Sequence, residues 1–286
     1  MINIIKSDFY RIFRGKAVYI AAVIMILAIG VSIYMIQPGY IGNASVGDTN
    51  VENFKNSNFD EVMSEYTLDD FRAMSLSDYR QVMLKVTGYE LDRDILGTNI
   101  NLYYVFIFAA ALAVTVDFSG SSIKNTLTSA ISRKKYFISK LIFIDLMCLL
   151  FLFANTYIMY FANIIFNTKQ FSSDISEITK ITVMQIPPVL SLAAVLTGIA
   201  FITRKTAVFN TVAIPLIMVF QLVLNIVASA LSVKEEYLHY ELQLMLAKLA
   251  NNPTESYMIN AYLICGGIIV LFYTAGWLSF RKAEIK

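Results

Sequence analysis

Six stretches of this chain carry no Asp, Glu, Lys or Arg for 20 residues or more, and that feature confines the fold. They lie at 17–36, between Asp94 and Asp117, between Asp145 and Lys169, between Lys180 and Arg204, between Lys205 and Lys234, and between Glu255 and Arg281. A helix rising about 1.5 Å per residue needs roughly 20 residues to cross about 30 Å of hydrocarbon, and each stretch supplies them. Helices and closed barrels are the two ways to satisfy a backbone in lipid, and the stretches lack the period-two alternation of barrel strands. The composition agrees: 57% of residues are apolar and 15% charged, against roughly 25% charged in soluble domains. The expected fold is an all-α integral membrane protein with six transmembrane helices. The first stretch has the basic flank of a signal peptide, but its apolar part is longer than a signal core and five more stretches follow, so it is expected to stay as a span.

Orientation follows from Lys and Arg. With the N-terminus inside, 14 of the 23 basic residues fall on the cytoplasmic side with only four of the 21 acids. Basic residues in short loops near span ends face the cytoplasm, so both termini are expected there. Trp277, just before Arg281, fits an interfacial anchor at that face. The expected location is the plasma membrane, as a multi-pass protein of a bacterial cell.

The segments between spans divide the chain further. Residues 1–16 form an expected amphipathic interfacial helix ahead of a membrane domain at 17–286. Ile2, Ile5, Phe9 and Ile12 or Phe13 recur at helical spacing, with Lys6, Asp8, Arg11 and Arg14 on the other face, a pattern suited to an anionic leaflet. Residues 38–98 are an acidic extracellular insertion, expected to form a small helical cap, with helix starts near Thr67 and Ser77. Between the fifth and sixth spans, Leu238, Leu242, Met245 and Leu249 share a stripe that suits a short helix against the outer leaflet. Cys148 and Cys265 lie in separate apolar runs, and His239 is the single histidine, so disulfide frameworks, zinc frameworks and most histidine chemistry are excluded.

Residues 118–140 join the second and third spans on the cytoplasmic side and contain no acid. Gly120 breaks the second span, and Ser132 is placed to cap the helix entering the third. Ile123 and Leu127 give a narrow apolar face, followed by the basic run Arg133, Lys134 and Lys135. Such a segment fits either a basic loop that fixes topology or a short helix that receives force from a soluble partner.

In three respects the chain resembles the permease subunit of ATP-binding-cassette transporters of the type-2 export class. One is the start, where Phe9-Tyr10-Arg11-Ile12-Phe13-Arg14 runs into the first span. Another is the segment from Asp117 through Gly120, Lys124, Leu127 and Ser132-Arg133 to Lys140. The third is the six-span plan with an outer amphipathic segment before the last span. The motif part covers about 25 residues. Asp117 stands where many members carry Glu, and Ala130-Ile131 replaces a usual proline. The resemblance implies a permease that dimerises with a second permease subunit, identical or not, and exports a substrate by alternating access. It implies ATPase coupling through Gly120, Ile123, Lys124, Leu127, Ser132, Arg133, Lys134 and Lys135. Peptides of the antimicrobial kind, drugs and lipid-linked molecules are the substrate classes it suggests.

The motifs that are missing fit that reading. There is no G-x-x-x-x-G-K-[ST], so the chain is not expected to hydrolyse ATP or to hold a cofactor itself; ATP and Mg belong to a separate cytoplasmic ATPase subunit. No metal-ligand set is expected, and membrane lipid rather than nucleic acid is the surrounding partner. Asp117 and Asp145 are read as span-end residues near Lys124 and Lys140, leaving mid-membrane without an ionisable group of the kind proton-coupled carriers use. Gln221, Asn225 and Ser229 recur every four residues on the fifth span, and Asn155, Thr156 and Asn163 do so more weakly on the third. The resemblance implies that Gln221, Asn225 and Ser229, with Asn155 as a further candidate, line a substrate pathway; interhelical hydrogen bonding is the alternative. Pro187-Pro188 and Pro215 are expected to bend the fourth and fifth spans. Two rival functions stand beside the permease: a membrane scaffold or sensor whose outer segment binds a ligand, and a secondary carrier.

Overall fold

The computed structural model describes residues 2–35, 111–119, 131–167, 175–230, 235–250 and 253–283, with isolated positions at 66, 70, 73–75, 78 and 123. Among the described residues all regular structure is helical. In chain order the helices are α1 (Ile2–Arg14), α2 (Lys16–Met35), a π-helical turn at Ala111–Thr115 running into α3 (Val116–Ser119), and α4 (Arg133–Asn167). They continue with α5 (Ile175–Met184), α6 (Ile186–Thr203), α7 (Thr206–Ala230), α8 (Glu235–Leu238), α9 (Leu242–Ala250) and α10 (Glu255–Arg281).

Local chemistry sets the boundaries. Ser132 caps α4, its hydroxyl accepting from the Lys135 N–H at 3.3 Å. Thr254 caps α10 in the same way, accepting from the Tyr257 N–H at 3.4 Å. Pro187 and Pro188 occupy the first turn of α6, just past the Gln185 turn that separates α5 from α6, where missing N–H groups cost little. Pro215 lies inside α7. In the acidic insertion, Ser75 accepts from the Asp78 N–H at 3.2 Å and donates to the Asp78 carboxylate at 2.6 Å. Ser75, two residues before the sequence reading at Ser77, thus holds the capping position relative to Asp78. Apart from positions 66, 70, 73–75 and 78, residues 38–98 lie outside the described residues.

α6 and α10 pack against each other in the same direction. Ser191 donates to the Cys265 carbonyl at 3.1 Å, Gly198 faces Phe272, and Arg204 donates to the Ser279 carbonyl at 2.9 Å. A Cβ on Gly198 would lie 2.8 Å from the Phe272 carbonyl oxygen, and one on Gly276 would lie 3.3 Å from Gly198 Cα. The two backbones approach closely because neither glycine has a side chain, a device common between helices in lipid. Parallel packing requires the chain between Arg204 and Thr254 to run back once along the bundle, and the 25 residues of α7 are long enough to do it. α4 runs the other way beside α10: Arg133 meets Arg281, Phe137 meets Trp277, and Asp145 meets Tyr273.

Three helical stretches are long and apolar enough to cross a membrane: Arg133–Ala162, Ile175–Thr203 and Glu255–Arg281. The α1–α2 pair, bent by 65° about Gly15, makes a fourth if the two are counted together. Their outward faces are apolar, with Leu27 on α2 and Leu263, Val270 and Leu271 on α10 each more than 60% exposed. Such faces are tolerable only in lipid or against another protein. The chain is a helical membrane protein. The second span, expected between Asp94 and Asp117, lies mostly outside the described residues.

Candidate functional site

α1 presents an acid to the interior. Ile5, Asp8, Phe9 and Ile12 fall on one face, with Asp8 and Ile12 each 3% exposed, while Ile2, Lys6, Tyr10, Phe13 and Arg14 face outward. This corrects the amphipathic assignment, which set Asp8 on the polar face with the cations and gave Ile2 and Phe13 to the apolar one. Phe9 meets the Phe143 ring edge-on with centroids 5.0 Å apart, seating α1 on the first turns of α4.

Asp8 is one member of a ring of alternating charge. The Lys140 ammonium lies 2.7 Å from both Asp8 oxygens and 2.7 Å from Asp117 Oδ2. Arg11 closes the ring, pairing with Asp117 through Nη1 and with Asp8 through Nη2 at 3.1 Å. Tyr136 donates from its hydroxyl to Asp117 at 2.7 Å, and its ring lies 5.2 Å from the Lys140 ammonium. Lys140 and both carboxylates are almost wholly buried, while Arg11 is partly open. Burial pushes the Asp8 carboxyl up from the usual carboxylate range; Lys140 opposes this, and Asp117 adds to it. Two anions and two cations sum to zero, which allows the cluster to persist out of water.

Two arginines finish the same end of the bundle. Arg133 donates to the Arg281 carbonyl at 2.7 Å, and Arg204 donates to the carbonyl and hydroxyl of Ser279. Both satisfy carbonyls in the last turn of α10, which have no partner within the helix. Arg204 adopts φ 58°, a left-handed conformation closing α6 through its N–H to the Ala200 carbonyl. Beneath them Phe118, Phe137, Phe201, Trp277 and Phe280 form one aromatic cluster. Trp277 is thus packed on Phe137 as well as lying near the bundle end.

The coupling candidates separate. Lys134, Lys135 and Ser132 are exposed at this end. Arg133 spends its guanidinium on α10. Ile123 is 2% exposed and packed in the main core. Gly120, Lys124 and Leu127 lie outside the described residues.

Of the pathway candidates, Asn155 is 1% exposed and donates to the Met159 sulfur at 3.3 Å, so it faces packed protein in this conformation. Gln221, Asn225 and Ser229 lie on α7, but their side chains are outside the described set. Asp145 lies twelve residues into α4 and accepts from the Tyr273 hydroxyl at 2.7 Å. The amphipathic stripe before the last span is two helices, α8 and α9, joined at His239–Glu241, with Met245, Leu246 and Leu249 buried.

The ring was not anticipated from the sequence. Its signal was present: one acid in an otherwise basic helix, beside two opposite charges, Asp117 and Lys140, at span ends facing the same side.

The charged ring, the two arginines and the aromatic cluster lie at one end of the bundle, where Lys6, Arg14, Lys16, Lys134, Lys135, Lys205, Arg281 and Lys282 are exposed. They define a helical membrane protein with a cationic end built on a buried charged ring. No family model matches the chain, and none of the curated proteins compared with it is similar in sequence.

Proposed function

We propose that the chain is the membrane-spanning permease subunit of an ATP-binding-cassette exporter of the type-2 class, with six spans and both termini in the cytoplasm. One observation carries the reading: α1, the end of α3, the start of α4, the α6–α7 turn and the end of α10 converge at one end of the bundle, where the exposed cations gather. The positive-inside rule makes that end cytoplasmic. A soluble motor can act there on the stems of the 118–140 segment and on the last helix together. The permease works as a dimer in a bacterial plasma membrane and exports peptides, drugs or lipid-linked molecules, the ATPase supplying hydrolysis.

The test is purification in mild detergent followed by identification of what remains bound. A permease brings down a protein with a phosphate-cradling loop, and the reconstituted pair hydrolyses ATP and moves substrate. A chain that stays alone and transports nothing in the presence of its ATPase contradicts the reading.

A second reading rests on Asp145. An acid within a helix long enough to span is a mark of ion pathways, so a proton-coupled carrier is the rival. Transport driven by a proton gradient without ATP, and lost in Asp145→Asn, would favour it.

A further inference from the structure

The ring at the basic end has an unusual composition: each of the two bodies it joins contributes a neutral pair to it. α1 contributes Asp8 and Arg11, three residues apart and in contact at 3.1 Å, a pair that forms within one helix. The rest of the bundle contributes Asp117 and Lys140, 2.7 Å apart. Docking interleaves two complete pairs into one ring, and undocking returns each charge to a partner it already has. A buried ion pair split between two bodies would behave otherwise, since separation would strand a charge on each side.

The apolar contacts are equally exchangeable. Ile5, Phe9 and Ile12 pack on the bundle when α1 is docked. A released α1 can lay the same face into the acyl boundary of an anionic leaflet, with Lys6 and Arg14 among the headgroups. Apolar surface then leaves protein for lipid and never meets water. The joint is present too: α1 and α2 meet at Gly15 with their axes 65° apart.

We propose that α1 is a detachable latch. Docked, it ties Asp117 at the end of α3 to Lys140 near the start of α4, and so clamps both stems of the connection that spans 118–132. Released onto the leaflet, it leaves the two stems held by Asp117 with Lys140 and Tyr136 alone. Both states keep charge neutrality and apolar burial, which is what a two-state element needs if a modest bias is to switch it. The latch adds a conformational control to the permease reading but does not depend on it, because it can be measured without ATPase or substrate.

The experiment places spin labels at Ser7→Cys on the outward face of α1 and at Lys282→Cys after α10, both exposed positions. The two native cysteines are fully buried and stay unlabelled. Distances are read in nanodiscs of phosphatidylcholine and phosphatidylglycerol. Asp8→Asn leaves the docked ring with one excess positive charge, and Arg11→Gln leaves it with one excess negative charge. Each single variant should raise the undocked population at least tenfold. The double variant Asp8→Asn/Arg11→Gln restores neutrality in the docked state and should return that population to within about threefold of the parent. If a single variant fails to accumulate, recovery of a folded, docked double variant carries the same meaning. The latch is overturned if neither single variant shifts the distances, if the double variant is as undocked as the two effects combined, or if it too fails to accumulate.

Discussion

Lys140 and Asp8, 132 residues apart in sequence, meet in a bidentate ion pair with both carboxylate oxygens 2.7 Å from the ammonium. The contact fixes the first helix of the chain to the helix that follows the 118–132 connection, and Asp117 shares the same ammonium.

Replacing Lys140 by Met should be among the most damaging single changes at this end. It leaves Asp8 and Asp117 buried together with Arg11 as the remaining cation of the ring, and breaking a buried pair typically costs about 3–5 kcal/mol. Thermal unfolding in detergent is the measurement. Asp8 already sits above the usual carboxylate range through burial, and loss of the ammonium raises it further. A carboxyl with a raised folded-state value stabilises the fold below that value and loses the contribution as pH rises through it. Lys140→Met should therefore regain stability on going from neutral to mildly acidic pH, more than the parent does.

Gly198 tests the α6–α10 contact. Its added Cβ would lie 2.8 Å from a backbone oxygen, which cannot rotate away, so Gly198→Val must push the helices apart. Overpacking of this kind costs about 1–3 kcal/mol. Gly276→Ala, with its tightest contact at 3.3 Å, should be clearly milder. Size-exclusion profiles after a heating series rank the two; equal tolerance would mean that the helices do not pack as described.

Topology is open to direct labelling. A cysteine at Asn53 should react with an impermeant maleimide in intact cells, and one at Asn125 only after the membrane is opened. Reaction of Asn125→Cys from outside would reverse the proposed orientation.

On the 118–140 segment, Leu127→Asp should weaken ATPase recruitment or uncouple hydrolysis from export while insertion into the membrane is unchanged. Lost apolar anchors at interfaces can cost about 2 kcal/mol or more, whereas rim charges cost less. Lys134→Ala, at an exposed position, should alter little except salt sensitivity. Pull-down beside proteoliposome transport measures both. Full recruitment and transport by Leu127→Asp would make the segment a topology loop.

On α7, Asn225→Leu should change which substrates are exported, or the substrate-stimulated part of ATP hydrolysis, with assembly intact. Misfolding without altered selectivity would assign the polar repeat to helix packing.

The helical membrane character was legible because uncharged runs of this length leave few other folds. Caps at Ser132 and Thr254 were within reach for a similar reason, since they depend on residues a few positions away. Asp8 was misread because a helical wheel sorts charge to the outside by default, and the neutralising Lys140 and Asp117 come from distant elements. The surroundings of Ile123 and Arg133 were hidden for the same reason: one is covered by the core and the other donates to α10 carbonyls, and neither covering group is near in sequence. The start of α4 was not legible from charge alone, because the helix begins at Arg133, twelve residues before the uncharged run that follows Asp145.

The position of α10 has a consequence for how the protein is made. It is the last described helix to leave the ribosome, yet its partner α6 carries the glycine face that receives it. Until Arg281 has been synthesised, Arg133 and Arg204 lack the carbonyls they cap, and Phe137 and Phe201 lack Phe280. Earlier spans must therefore wait in the membrane with an unfilled seam. A nascent chain cut short before α10 exposes that seam to quality-control proteases, so closure of the bundle waits on the synthesis of α10.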